Sequence, residues 1–158
     1  MSAFSLQSGG TGAALKGGPA LDRMLKGLEK KEAKKIVRSA VTKGIKISMR
    51  AMKSNAVSMV GGEMGALINS NIQSRAFKRQ RPGSFARFLS LKPNVPGFIH
   101  RTKDGQEYYI PAQVEFGHDD VAPIPFMRAA ADSTRAKTIK RTTDHIKAGI
   151  LKHAKKAT

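Results

Sequence analysis

The chain of 158 residues carries 29 Lys and Arg against 11 Asp and Glu, a net charge of +18, with 40% hydrophobic residues and no cysteine. That size fits one domain with a modest core, and the missing thiols exclude disulfides and thiolate metal sites and fit a reducing compartment. No apolar run is long enough to span a bilayer and the N-terminus lacks the order of a signal peptide, so a soluble intracellular protein with an anionic partner is expected.

Residues 1–19 are rich in Gly and Ser ("SGGTGAALKGGP") and cannot pack a core alone. They read as a flexible arm lying against another chain, leaving residues 20–158 as a single domain. The glycines are not a phosphate loop, because no Gly-Lys-Ser/Thr follows them.

From Leu21 to about Asn55 the spacing predicts a helix. Leu21, Leu25, Leu28, Ile36, Ala40, Gly44, Ile47 and Ala51 recur at three and four residues, opposite a solvated face of Lys26, Lys30, Lys31, Lys34 and Lys35. Met49, Met52, Met59 and Met64 read as core filler. After Gly61-Gly62, a helical turn beginning near Glu63 passes into a strand ending near Phe77. "KRQRPG" is a loop or hairpin tip, and Phe85 to Leu91 reads as the next strand. Asp104-Gly105 signals a hairpin between Phe98–Thr102 and Gln106–Ile110.

The segment "YYIPAQVEFGHDDVAPIPFMRAAADS", Tyr108 to Ser133, alternates at first, with Tyr108, Ile110, Ala112, Val114 and Phe116 on one face. It predicts a half-buried strand split by Pro111 and ended by Gly117. Pro123 and Pro125 stiffen the switch to a final helix from Phe126 to about Lys156, with Phe116, Gly117, Pro125 and Phe126 as structural anchors. A long helix, a small, mainly antiparallel β-sheet and a second long helix make an α+β domain.

Charge is segregated along the chain. Met64 to Lys103 holds eight basic residues and no acid, whereas Asp104 to Asp120 holds five acids and neither Lys nor Arg. The pattern suits a head-to-tail ring in which one subunit's acids meet its neighbour's cations. The candidate interface set is Glu115, Asp119 and Asp120 against Arg75, Lys78, Arg79, Arg81 and Arg87.

Chemistry is scarce. "HDD", His118 to Asp120, reads as a charged turn, since nothing at a suitable spacing completes a metal site. His145 and His153 read as helix-surface residues, and no nucleophile or kinase motif appears. No enzyme, cofactor or metal is expected. "FKRQRPGSFARF" is the best nucleic-acid candidate, a loop touching phosphates without reading bases; a small basic nucleic-acid-binding protein is therefore the alternative reading.

"VEFG" (Val114 to Gly117), the following loop and "PIPFMRAA" (Pro123 to Ala130) resemble the signature of the tail-completion or head-to-tail joining family of long-tailed bacteriophages. "GALINSNI", Gly65 to Ile72, resembles its Gly-x-Leu element, and a lysine-rich first helix belongs to the pattern. His118 stands where the family usually has Thr, and "SMVGGEM" replaces its usual Pro-x-x-Thr. The resemblance implies a non-enzymatic virion protein of the neck, made in the host cytoplasm and assembled as a hexameric ring. Its implied partners are copies of itself, the tail terminator, the tail tube and the head-completion protein, with non-specific contact to genomic DNA and none to membrane.

Overall fold

The structure is a computed structural model that describes residues 30–80, 84–118 and 121–154. The first long helix, α1, is Lys30–Asn55, and the last, α4, is Phe126–Ala154. The two lie antiparallel. Ile36 packs at Gly149, Ser39 hydrogen-bonds His145, Gly44 meets Thr138 and Thr142, and Asn55 donates to the Phe126 carbonyl.

The residues at this seam recur every fourth position: Ile36, Ala40, Gly44, Ser48, Met52 and Ala56 on one side, and Phe126, Ala130, Thr134, Thr138, Thr142, Ile146 and Ile150 on the other. Rows at that spacing run as ridges along a helix and interlock with a facing ridge. Small residues at the middle of the α1 row allow close approach: a Cβ on Gly44 would run into Thr142 Oγ1 and lie 3.1 Å from the Thr138 carbonyl.

A π-helical turn, Ala56–Val60, extends α1 until Gly61, whose φ of 69° and ψ of −176° suit glycine. Helix α2, Gly62–Asn71, folds back so closely that a Cβ on Gly65 would sit 2.5 Å from the Ala56 carbonyl. This is a full helix rather than the expected single turn, and Ser70 and Asn71 side chains bond back to Ala66 and Leu67 carbonyls near its end. Strand β1, Ile72–Ala76, pairs antiparallel with β2, Arg87–Leu91. Strands β3, Ile99–Arg101, and β4, Glu107–Tyr109, form the expected hairpin around Asp104-Gly105, where Gly105 has φ 79°.

The α+β class and the order helix, strands, helix are as expected. The β-structure differs in being two separate two-stranded ribbons, not one sheet. Buried Phe98 lies in the core next to the second ribbon, and with Met52, Ala56, Ile68, Ile72, Phe126 and Ala130 it forms the main core cluster. Ala40, Ile146 and Ile150 form a second cluster farther along the helix pair.

The expected strand from Tyr108 to Phe116 is corrected: β4 ends at Tyr109 and the chain turns into a short helix, α3, Ile110–Phe116. Ile110 and Val114, like Pro111 and Glu115, fall four apart, so the same residues satisfy a helical period as well as an alternating one. Pro111 then needs no amide partner, being in the first turn. The Ile110 amide goes to the Phe98 carbonyl and the Val114 carbonyl accepts from Ile124, contacts made only in the folded chain.

Candidate functional site

The strand-to-helix segment forms an intramolecular clasp. Glu115 on α3 is 2% exposed. Its Oε2 accepts the Met127 amide at 2.8 Å, and its Oε1 accepts the Arg128 amide at 3.0 Å and Arg128 Nε at 3.1 Å. Arg128 Nη2 also donates to the Glu115 carbonyl at 2.6 Å. The Phe126 amide goes to the Ile124 carbonyl and the Ala129 amide to that of Pro125. The amides of Phe126, Met127 and Arg128, which an isolated helix leaves unpaired, are thus satisfied, the Ala129 amide makes the first i→i−4 bond of the helix, and a carboxylate sits at the positive end of the helix dipole.

Glu115 is therefore not the exposed interface acid that its sequence context suggests. It caps the last helix from another element, a role that no local capping motif announces. Phe116 is likewise corrected as an anchor: it is 67% exposed and touches the Arg128 guanidinium, 5.0 Å from the ring centre. Phe126, fully buried, is the anchor expected. Gly117 is also required, because at φ 75° a Cβ would lie 2.8 Å from the Val121 carbonyl and 3.0 Å from the Pro123 nitrogen. Pro125 is half-buried and contributes the carbonyl at the helix start.

Asp119 and Asp120 lie outside the described residues, as do Arg81, the arm 1–19 and the expected helix start at Leu21, Leu25 and Leu28. Of the remaining candidate cations, Arg75, Lys78 and Arg79 are exposed. Arg87 is half-buried and engaged within its own ribbon: its Nε bonds Ser74 Oγ at 2.9 Å and its Nη2 bonds the Ser74 carbonyl at 2.8 Å.

Neutral groups join the described residues on the two sides of the basic turn between β1 and β2. Phe77 stacks against Phe88 with ring centres 4.8 Å apart. Gln80 donates to the carbonyls of Phe77 and Ala86 and accepts the Ala86 amide, which holds the two flanks together beside Lys78 and Arg79. At its returning edge, Arg38 of α1 lies 5.5 Å over the Phe85 ring.

At the far end of the molecule, apolar side chains remain in solvent. Ile99 and Tyr109 are cross-strand partners in the β3–β4 ribbon, and Phe116 and Val121 flank the turn after α3. Tyr108 stacks on His118, with ring centres 6.3 Å apart, and joins ribbon to turn. Among the acids here, Glu107 is already paired with Arg101 of its own hairpin. Burial raises the Tyr109 phenol above its usual value.

Sequence reasoning also missed His145, which is half-buried in the helix seam with Nε2 3.1 Å from Ser39 Oγ. Burial, then Lys43 and Arg141, push it below its ordinary value. Its only sequence cue was its place one residue before the seam position Ile146.

Among the described residues, no group of three or more His, Cys, Asp or Glu could hold a metal ion, and no helix is long and apolar enough to cross a membrane. The chain matches no family model, no curated protein and no solved structure.

Proposed function

We propose that this chain is a structural, non-enzymatic protein of the neck of a long-tailed double-stranded-DNA bacteriophage. In this reading it completes the tail and joins it to the head as one subunit of a ring, hexameric by the resemblance, and it resides in the virion after assembly in the host cytoplasm. Its partners would be its own copies, the tail tube, the tail terminator and the head-completion protein.

The observation that carries the reading is the clasp. The residues on which the resemblance rests, Val114 to Gly117 and Pro123 to Ala130, act together as one local device: buried carboxylate, glycine turn, buried aromatic and guanidinium. A string that fixes how the last helix docks is what a fold-level signature would contain. The exposed Ile99, Tyr109, Phe116 and Val121 give further support, because an assembling subunit has a use for apolar surface that its own core leaves uncovered.

Sedimentation and negative-stain imaging of the purified chain test the reading, together with antibody labelling of tailed particles. Rings with an open centre, and label at the head-tail junction, are expected. A chain that stays monomeric at every concentration and is absent from purified particles overturns it. The second reading, a small basic nucleic-acid-binding protein, is favoured by the cations gathered at one end of the helix pair.

A further inference from the structure

We propose that the first half of α1, Lys78 and Arg79 just after β1, and the end of α4 together form a binding site for the phosphate backbone of duplex DNA. The three segments are far apart in sequence, and three observed contacts bring them to one pole. Ile36 and Ala40 of α1 pack with Ile146 and Ile150 of α4. Arg38, on the same stretch of α1, lies over Phe85. Phe77, which directly precedes Lys78 and Arg79, hydrogen-bonds the residue after Phe85.

Exposed Lys31, Lys34, Lys35, Arg38, Lys78, Arg79 and Lys152 therefore converge. Among the described acids in these stretches, Asp144 is engaged by Lys140 at 3.1 Å, which leaves Glu32 on α1. The depressed proton affinity of His145, to which Lys43 and Arg141 contribute after burial, fits a positive field along the same helix pair.

The chemistry of the pole selects its ligand. Lysines outnumber arginines in it, and lysine is depleted at protein interfaces but serves well as a point charge for phosphate. A single strand would need several aromatic platforms, whereas Phe77 is the exposed aromatic ring that the pole's turn offers and it leans on Phe88. A membrane surface would need a free apolar helix face; Ile36, Ala40, Ile146 and Ile150 face each other, and exposed Leu151 does not by itself make such a face. Cations without base-reading groups grip duplex phosphates irrespective of sequence. The site exists within a single chain and does not rest on the ring reading.

The test is fluorescence anisotropy with the full chain and two duplexes of unrelated sequence, from about 50 to about 200 mM salt. Both duplexes should bind equally, with affinity falling steeply as salt rises. The combined variant Lys34→Gln, Lys35→Gln, Lys78→Gln, Arg79→Gln should flatten the salt slope by about 0.9 for each phosphate contact removed. A control that neutralises four cations away from the pole, Arg50→Gln, Lys53→Gln, Lys92→Gln, Lys103→Gln, should leave the slope near that of the parent chain. Circular dichroism checks that both variants remain folded. Equal losses in the two variants overturn the proposal in favour of diffuse charge. Absence of duplex binding at the lowest salt also overturns it. So does polyglutamate that binds as tightly as duplex and loses affinity with the same pole variant, which identifies an acidic protein as the ligand.

Discussion

Glu115 is a buried acid in a strongly basic chain, and its burial is tolerable because every contact it makes is with a donor. Replacing it with alanine leaves two helix-terminal amides and Arg128 Nε without their acceptor, while Arg128 Nη2 keeps the backbone carbonyl. Because Arg128 is half in water, its charge can be resolvated, so the cost should be about 2–3 kcal/mol, the range of hydrogen bonds to charged groups rather than that of a wholly buried pair. Urea denaturation measures it. Phe126→Ala should cost more, about 3–5 kcal/mol, since the ring is fully buried between helices and ribbons. Phe116→Ala, ten positions earlier, should cost no more than about 1 kcal/mol, the worth of an exposed cation–π contact. Equal losses for the two phenylalanines would show that the anchor has been assigned to the wrong ring.

The helix pair holds together through a seam unlike a leucine-lined one. Ser48 Oγ lies 2.8 Å from Thr134 Oγ1 and 2.9 Å from Thr138 Oγ1, so the middle of the seam is a hydroxyl chain flanked by apolar clusters. Gly44→Ala should destabilise by about 1–3 kcal/mol through overpacking against Thr142. Adding Thr142→Ala removes the hydroxyl in the way, so the double variant should lose less than the sum of the single losses, by at least about 0.5 kcal/mol in a thermal double-mutant cycle. His145 makes the seam sensitive to pH. Its folded-state proton affinity lies below that of the unfolded chain, so the unfolded state binds more protons. Its contribution is present in full above the usual histidine value of about 6.5 and is lost as pH falls through the lower folded value. Urea midpoints between about pH 5 and pH 7.5 should rise with pH in the parent chain and rise less in His145→Gln.

Across the whole molecule, antiparallel packing converts a linear charge pattern into a spatial one. Lysines near the start of α1 end up beside the end of α4 and the residues that follow β1, while the β3–β4 ribbon, its acids and exposed Ile99, Tyr109, Phe116 and Val121 lie toward the opposite end. The uncovered apolar set makes a prediction at this scale. Ile99→Lys with Val121→Lys should change subunit stability by no more than about 0.5 kcal/mol, as ordinary surface substitutions do, yet shift the ring proposed above to monomers in sedimentation. Rings that persist in that variant would show that another face makes the contact. Glu107, paired within its hairpin, and Arg87, bound to Ser74, have less to offer a neighbour than the linear charge pattern suggests.

The sequence by itself determined what depends on local period and turn chemistry. Three- and four-residue spacing marks the apolar face of the first long helix, Asp104-Gly105 specifies a hairpin, and the run from Phe85 to Leu91 gives a strand close to the observed Arg87–Leu91. It also singled out Phe126 and Gly117, because a proline-flanked aromatic at a helix start and a glycine at a break have local reasons to be there. Only the tertiary structure decided between strand and helix for Ile110–Phe116, whose residues fit both periods; the helix is the form in which Glu115 reaches the Met127 and Arg128 amides and Val114 accepts from Ile124. The same holds for Glu115, Arg87 and His145. A charged or titratable side chain reads alike in sequence whether it faces water, caps a distant helix or lies in a seam. Which of these it does depends on where another segment brings its donors and its cover.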